Sequence, residues 1–261
     1  MRVPLFQIDA FTKRLFAGNP AAVMVLPSFP NNATLQAIAA ENNIAETAFL
    51  VERDGQYQLR WFTPAVEVPL CGHATLASAA VVMERLEPGR KCVIFQTESG
   101  PLTVQGKEDG YVMDFPSRPC EKVATPPRMA AALNAVPVEV YRGHHSYLVV
   151  LSDAQTVRAL TPDLAAIAAL DRPGVIVTAA GDERYDFVSR YFSPARGNPE
   201  DPVTGAAHCM LAPYWGAITG KSTFHAYQAS RRGGEVLCRL SGDRVELEGS
   251  CVFYLEGYAE I

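Results

Sequence analysis

Tyr57-Gln58-Leu59-Arg60-Trp61-Phe62-Thr63-Pro64-Ala65 returns later in the chain as Phe187-Val188-Ser189-Arg190-Tyr191-Phe192-Ser193-Pro194-Ala195. The shift is 130 positions, and arginine, aromatic, Phe, Thr/Ser, Pro and Ala all fall in step. Just downstream, Pro69-Leu70-Cys71-Gly72-His73-Ala74 is echoed by Pro202-Val203-Thr204-Gly205-Ala206-Ala207, now at a shift of 133. The second copy therefore carries three extra residues between the two strings. Phe95-Gln96 and Gly100 are echoed by Tyr227-Gln228 and Gly233-Gly234. A period this long is not that of a solenoid, and it implies two homologous halves.

The pattern around each string is the same. Alternating apolar runs at Leu5–Ala10 and Val23–Leu26 flank a Gly18-Asn19-Pro20 turn, and a helix from Ala33 to Asn42 follows, capped by Asn31 or Asn32. Strands Thr47–Val51 and Gln58–Phe62 run into Thr63-Pro64, where the proline stops regular structure. The next helix, His73 to Arg85, is apolar almost all round, so it has to be buried on every side. With strands before and after it, it reads as the axle of a curved sheet or barrel. The second half repeats this with strands at 147–151, 174–178 and 187–192, a helix at 162–170 and an inner helix at 205–215. The expected fold is α+β: two similar domains, each a curved mixed sheet around a central helix. The Pro-rich stretch from Pro116 to Pro127 is the expected hinge, giving domains 1–118 and 119–261, with the last strand free to return to the first half.

Composition narrows the function. The chain has 261 residues, 48% of them hydrophobic, which is enough to bury a core without staples. A net charge of −5 leaves no basic footprint for nucleic acid. The longest apolar run, Ala74 to Met83, is about half of what a bilayer crossing requires. The N-terminal residues show no signal-peptide pattern, so a cytoplasmic location is expected. The six cysteines lack Cys-x-x-Cys and zinc-finger spacing, so free thiols and no metal are expected.

Two loop-to-helix junctions end in glycine, at Gly72-His73 and Gly205-Ala206. A helix start offers backbone N–H groups and the positive end of the dipole, and two such ends facing one cleft would hold a small carboxylate. The competing reading makes both glycines tight-turn residues. Glu46 is the only charge between Asn42 and Leu50. Among apolar neighbours its carboxyl would be partly desolvated, with a raised pKa suited to general acid/base work; the alternative is an exposed turn glutamate. His73 reads as a proton relay or a plain capping-region histidine. Asp201 reads as a ligand contact or a helix cap. Cys71, at a helix start, is expected to have a lowered pKa, or else to be an inert buried thiol. His208 and Cys209 read as packing residues.

Gly18-Asn19-Pro20-Ala21-Ala22-Val23, Ile44-Ala45-Glu46-Thr47-Ala48-Phe49, Phe62-Thr63-Pro64, Cys71-Gly72-His73-Ala74-Thr75 and Glu200-Asp201-Pro202-Val203-Thr204-Gly205 together resemble the phenazine-biosynthesis PhzF-like isomerase family. The run through Ala212-Pro213-Tyr214-Trp215 is closer to its widespread branch than to the phenazine enzyme. The resemblance implies a diaminopimelate-epimerase-like fold with the active site between two α+β domains. It also implies cofactor-free isomerisation, in which Glu46 takes a proton from one carbon and returns it to another, with His73 and Asp201 in the catalytic set. Gly72, His73, Asp201, Gly205 and Ala206 fall on its substrate-binding positions, and a homodimer is among its implied assemblies. The family's small hydroxyl residue after the second glycine is Ala206 here, which removes a possible hydrogen bond to a phenazine precursor.

Three functions follow as expectations. The first is a Glu46-dependent isomerase acting on a small, cyclic carboxylate. The second is a Cys71-dependent racemase, epimerase or dehydratase. Its two-thiol form is weakened by Thr204, since a threonine hydroxyl at the second thiol position is too weak an acid to protonate a carbanion, while a dehydratase or one-base enzyme using Cys71 stays open. The third is a non-catalytic binding module on the same fold.

Overall fold

A computed structural model describes residues 1–261. In chain order the elements are β1 (Arg2–Ala10), β2 (Asn19–Leu26), α1 (Asn32–Asn42), β3 (Glu46–Arg53), β4 (Gln56–Phe62), β5 (Glu67–Val68), α2 (Gly72–Val81), β6 (Cys92–Thr97), β7 (Gly100–Lys107) and β8 (Gly110–Pro116). There follow β9 (Glu121–Val123), α3 (Met129–Leu133), β10 (Glu139–Arg142), β11 (Ser146–Val150), α4 (Ala154–Ala159), α5 (Leu164–Ala168), β12 (Gly174–Ala180), β13 (Phe187–Ser193) and β14 (Asn198–Asp201). The chain ends with α6 (Gly205–Thr219), β15 (Thr223–Gln228), β16 (Gly234–Ser241), β17 (Arg244–Gly249) and β18 (Cys251–Glu260). It forms two compact units, Met1–Asp114 with Glu248–Ile261, and Phe115–Leu247.

In the first unit β1 pairs antiparallel with both β2 and β18. A crossover through α1 makes β2 and β3 parallel, β3 and β4 are antiparallel, and a second crossover through α2 brings β6 parallel to β4. Every residue of α2 from His73 to Val81 is buried, as the all-round apolar pattern requires. The helix packs on β1, β2, β3 and β18. Its two buried hydroxyls give their protons to carbonyls one turn back, Thr75 to Cys71 and Ser78 to Ala74. The regular helix stops at Val81, and a wider π-type turn, Val82–Leu86, takes up the remainder of the expected length.

The second unit repeats this pairing order strand for strand. β10 and β11 are antiparallel, β11 and β12 parallel, β12 and β13 antiparallel, and β13 and β15 parallel through α6. Phe187 stacks on Trp215 of α6 at 5.8 Å, and the indole N–H is satisfied by Thr178. The helix expected at 162–170 is α5, shorter than expected, and an unexpected short helix, α4, precedes it; each is begun by an aspartate (Asp153, Asp163) that accepts first-turn N–H groups.

The repeat is visible in side chains too. Arg60 holds Glu67, seven residues on, through two hydrogen bonds of 2.7 Å. Arg190 holds Glu200, ten residues on, at 2.7 and 3.0 Å. The three-residue difference is the insertion read from the sequence, accommodated around the 3-10 turn Pro194–Arg196. One echo needs correcting. Strand register pairs Tyr57 with Phe95, and Phe187 with Ala226. Phe95 thus corresponds to Ala226, and Gln96 to Tyr227 rather than Gln228. A one-residue slip turns a side chain to the opposite face, and accordingly Gln96 is exposed while Gln228 is fully buried.

Candidate active site

Three sequence-distant residues meet in the first unit. Asn19 opens β2, Glu46 opens β3 beside Ala21, and His73 is the second residue of α2. His73 Nε2 lies 3.1 Å from Glu46 Oε2, the glutamate side chain being only 15% exposed. This is ion-pair distance, reached without good hydrogen-bond alignment. On the other edge of the ring, Nδ1 lies 3.1 Å from Asn19 Nδ2 and 3.5 Å from Cys71 Sγ. An amide N–H only donates, so Nδ1 accepts and a neutral imidazole carries its proton on Nε2, facing Glu46. Burial opposes a charged ring, but the Cys71 sulfur and the Glu46 carboxylate raise the His73 pKa well above the usual histidine value.

Of the two expectations for Cys71, the buried thiol holds and the lowered pKa does not. Burial first, and then the Glu46 carboxylate, push its thiol pKa up rather than down, with His73 acting only partly in the other direction. The dipole at the helix start is outweighed by the low-dielectric surroundings and a nearby negative charge.

Glu46, Cys71 and His73 offer ligand atoms within 4.8 Å of one another. The sulfur, however, sits at Nδ1 and the carboxylate at Nε2, and the two ring nitrogens point away from each other. The carboxylate and the sulfur thus flank the imidazole on opposite edges.

In the second unit, Asp201 ends β14 and Gly205 begins α6. Asp201 Oδ2 accepts the Thr204 hydroxyl at 2.5 Å. Gln228 and His208 join this cluster, and neither was singled out as a site residue. His208 Nδ1 donates to the Thr204 carbonyl at 2.8 Å, while its Nε2 is buried and unpartnered. Ala206 is exposed.

The two glycine-led helix starts share a property. α1, α4 and α5 are each capped by an Asn or Asp side chain, whereas neither Cys71 nor Thr204 caps its helix. Gly72 and Gly205 also lie outside the positive-φ glycines, so no left-handed turn demands either. At Gly205 a side chain would meet little: a β-carbon there would meet only Leu247, at 3.4 Å.

His208 has a consequence for stability. Burial, only partly offset by the hydrogen bond to the Thr204 carbonyl, depresses its pKa from 6.5 to about 4. The folded state thus binds this proton less readily than the unfolded chain. The resulting stability is complete above about pH 6.5 and is lost as pH falls toward 4, reaching about 3 kcal/mol at ~1.4 kcal/mol per pH unit. Urea unfolding at pH 7.5 and 4.5 is expected to show His208→Gln losing about 3 kcal/mol less than the parent across that interval. Equal losses would show that another group governs acid unfolding.

Comparison with known proteins agrees with this architecture. The chain is 48% identical to an uncharacterised isomerase of Pseudomonas aeruginosa, with 98% of each chain covered. It superposes on the crystal structure of a PhzF-family phenazine biosynthesis protein from Enterococcus faecalis with a TM-score of 0.97 at 44% identity, covering 100% of both chains. A hydroxyproline epimerase from Agrobacterium vitis shares the fold at a TM-score of 0.64 and 9% identity, covering 98% of this chain and 92% of that one. A family model described as phenazine biosynthesis-like protein matches residues 8–257, and the chain belongs to that family.

Proposed function

We propose that the protein is a cofactor-independent isomerase that moves a proton on a small, cyclic carboxylate, with Glu46 as the acid/base. The observation that carries this reading is the buried contact of Glu46 with His73 at 3.1 Å beside an uncapped, glycine-led helix start. The Glu46 carboxylate takes a proton from the carbon next to an unsaturated or carboxylate-bearing centre, and the same proton returns to a second carbon. Such a shuttle needs one base that changes charge twice, plus a neighbour that tolerates both states. His73, whose raised pKa lets it hold or give a proton opposite Glu46, is that neighbour. In the first unit the backbone N–H groups at Gly72-His73 are the proposed contacts for the substrate carboxylate; in the second unit Asp201, Gly205 and Ala206 are proposed as substrate-binding residues. The isomerase name of the Pseudomonas relative supports the reaction class.

The test is deuterium wash-in from D2O, followed by proton NMR over a panel of cyclohexene- and cyclohexadiene-carboxylates. Exchange at one ring carbon, or migration of a double bond, is the expected result. A panel with no exchange on any member would count against a cyclic carboxylate.

A two-thiol racemase is disfavoured twice over. The Cys71 thiol is raised in pKa by its surroundings, and the hydroxyl at the corresponding position of the second unit, Thr204, is bonded to Asp201. Cys71→Ser is accordingly expected to keep wash-in within about tenfold of the parent, a smaller loss than the ~10²–10⁴ of a removed acid/base. Loss of all exchange in that variant would transfer the acid/base role to the thiol.

A further inference from the structure

We infer that Gln228 is a positioning residue that fixes the direction of the Thr204–Asp201 hydrogen bond and thereby holds the Asp201 carboxylate in place. The inference rests on the reading above in one respect, that Asp201 contacts substrate.

Gln228 ends β15 with its side chain fully buried, and both ends of its amide are engaged. Its Oε1 accepts the backbone N–H of Thr204 at 2.8 Å. Its Nε2 donates to the Asp201 carbonyl at 2.7 Å and to Thr204 Oγ1 at 3.1 Å. The orientation of the amide is set from both sides: a backbone N–H can only meet the oxygen, and a backbone carbonyl can only meet the nitrogen. Thr204 Oγ1 therefore already receives a proton from Gln228. Its own proton must go to another acceptor, and Asp201 Oδ2 stands 2.5 Å away. From the other side, His208 Nδ1 and the α6 amides of Ala207 and His208 hold the Thr204 carbonyl. The hydroxyl is thus a permanent donor to Asp201. It cannot turn toward a ligand, and the carboxylate it holds cannot swing.

The first unit has no such device. By strand register the residue in the place of Gln228 is Thr97, whose hydroxyl donates to the Gly100 carbonyl at 2.6 Å, and the residue in the place of Thr204 is Cys71, whose sulfur contacts His73 instead. One buried amide therefore separates a helix start built to move protons from one built to keep a carboxylate still.

The test is a double-mutant cycle read on the Asp201 midpoint by 13C NMR of the side-chain carboxyl. Thr204→Val removes the donated proton and is expected to raise the midpoint by about one pH unit, since a hydrogen bond to the charged form favours it. Gln228→Met is expected to raise it as well in the parent, but not further in the Thr204→Val background; Thr204→Ser should restore the parent value. Coupling of this kind is what a shared network shows. A residue that only supports the loop would lower Tm while leaving the midpoint unchanged, or would shift it equally in both backgrounds, and either result overturns the inference.

Should Gln228→Met fail to fold, the unaltered protein still decides. The Thr204 hydroxyl proton and both Gln228 side-chain amide protons are expected as slowly exchanging NMR signals, and rapid exchange of all three overturns the clamp. The wash-in assay keeps the two readings apart. Full activity of Glu46→Gln removes the isomerase reading and leaves the titration result standing. An unmoved Asp201 midpoint removes the clamp whatever the activity.

Discussion

Replacing Glu46 by glutamine is expected to slow deuterium wash-in by about 10²–10⁴, the usual worth of a positioned acid/base, while the protein still folds and still binds carboxylates. Glutamine has the same shape, and its oxygen still meets the Nε2–H of His73, so the packing around the first-unit site is preserved. Only the ability to take a proton is removed. The variant should therefore lose kcat far more than KM, the pattern of an interaction needed in the transition state. A second readout comes from His73. With the carboxylate gone, the one charge beside the ring disappears, and the imidazole midpoint should fall toward the ordinary histidine range. A Glu46→Gln protein within tenfold of the parent, with an unshifted His73, would show that another group does the chemistry.

Gly18→Ala is expected to destabilise the protein by roughly 2–5 kcal/mol, the sum of ~1–2 for a left-handed backbone and ~1–3 for overpacking. Gly18 has φ +64°, and a β-carbon there would stand 2.1 Å from the Ala10 carbonyl oxygen and 2.8 Å from Thr12 Cγ2. Backbone oxygen cannot step aside as a flexible side chain does. The loop it closes is already tight: Phe11 and Phe16 also have positive φ, and the buried Asp9 carboxylate accepts the Phe16 N–H at 2.8 Å. The next residue is Asn19, which orients His73. The substitution should therefore lower Tm by roughly 10 °C, as expected for a protein of this size, and weaken wash-in at the same time. Gly55→Ala is the control, since Gly55 has φ +76° but nothing within 4 Å of a β-carbon. It should cost only the left-handed term, about 1–2 kcal/mol. Equal losses at the two glycines would place the whole effect in backbone strain and none in the contact with β1.

The parts of the fold visible in the sequence were those carried by pattern. An apolar run with no polar face could only be a buried helix, and α2 is that. The Arg-aromatic-Phe string fixed the place of β4 and β13 and the length of the insertion between the copies. The site was visible in pieces. Glu46 stood out as a lone charge among apolar neighbours and His73 as the histidine at a helix start, but their contact spans 27 residues and depends on how β3 and α2 pack. Asn19 was hidden inside a Gly-Asn-Pro string that looks like a turn; its signal was a polar residue opening an apolar run, and it is a buried first residue of β2. Gln228 was hidden by a one-residue slip in aligning β15 with β6, which places an inward amide opposite an outward one. The sign of the Cys71 shift was missed because a helix start was weighed without the burial and the Glu46 charge that only the folded chain supplies.

The last strand carries a consequence for synthesis. β18 pairs along nearly all of β1, so the unit holding Glu46 and His73 is built from residues 1–114 and 248–261, with all of 115–247 lying between them in the chain. On the ribosome the intervening unit is therefore complete before the first one has its final strand. Until residues 251–260 emerge, β1 shows an unpaired edge and α2 lacks one of the strands that cover it. The order of synthesis makes the half that holds Glu46 and His73 the last to receive all its strands, and a chain cut short within β17 leaves uncovered the side of α2 on which β18 packs.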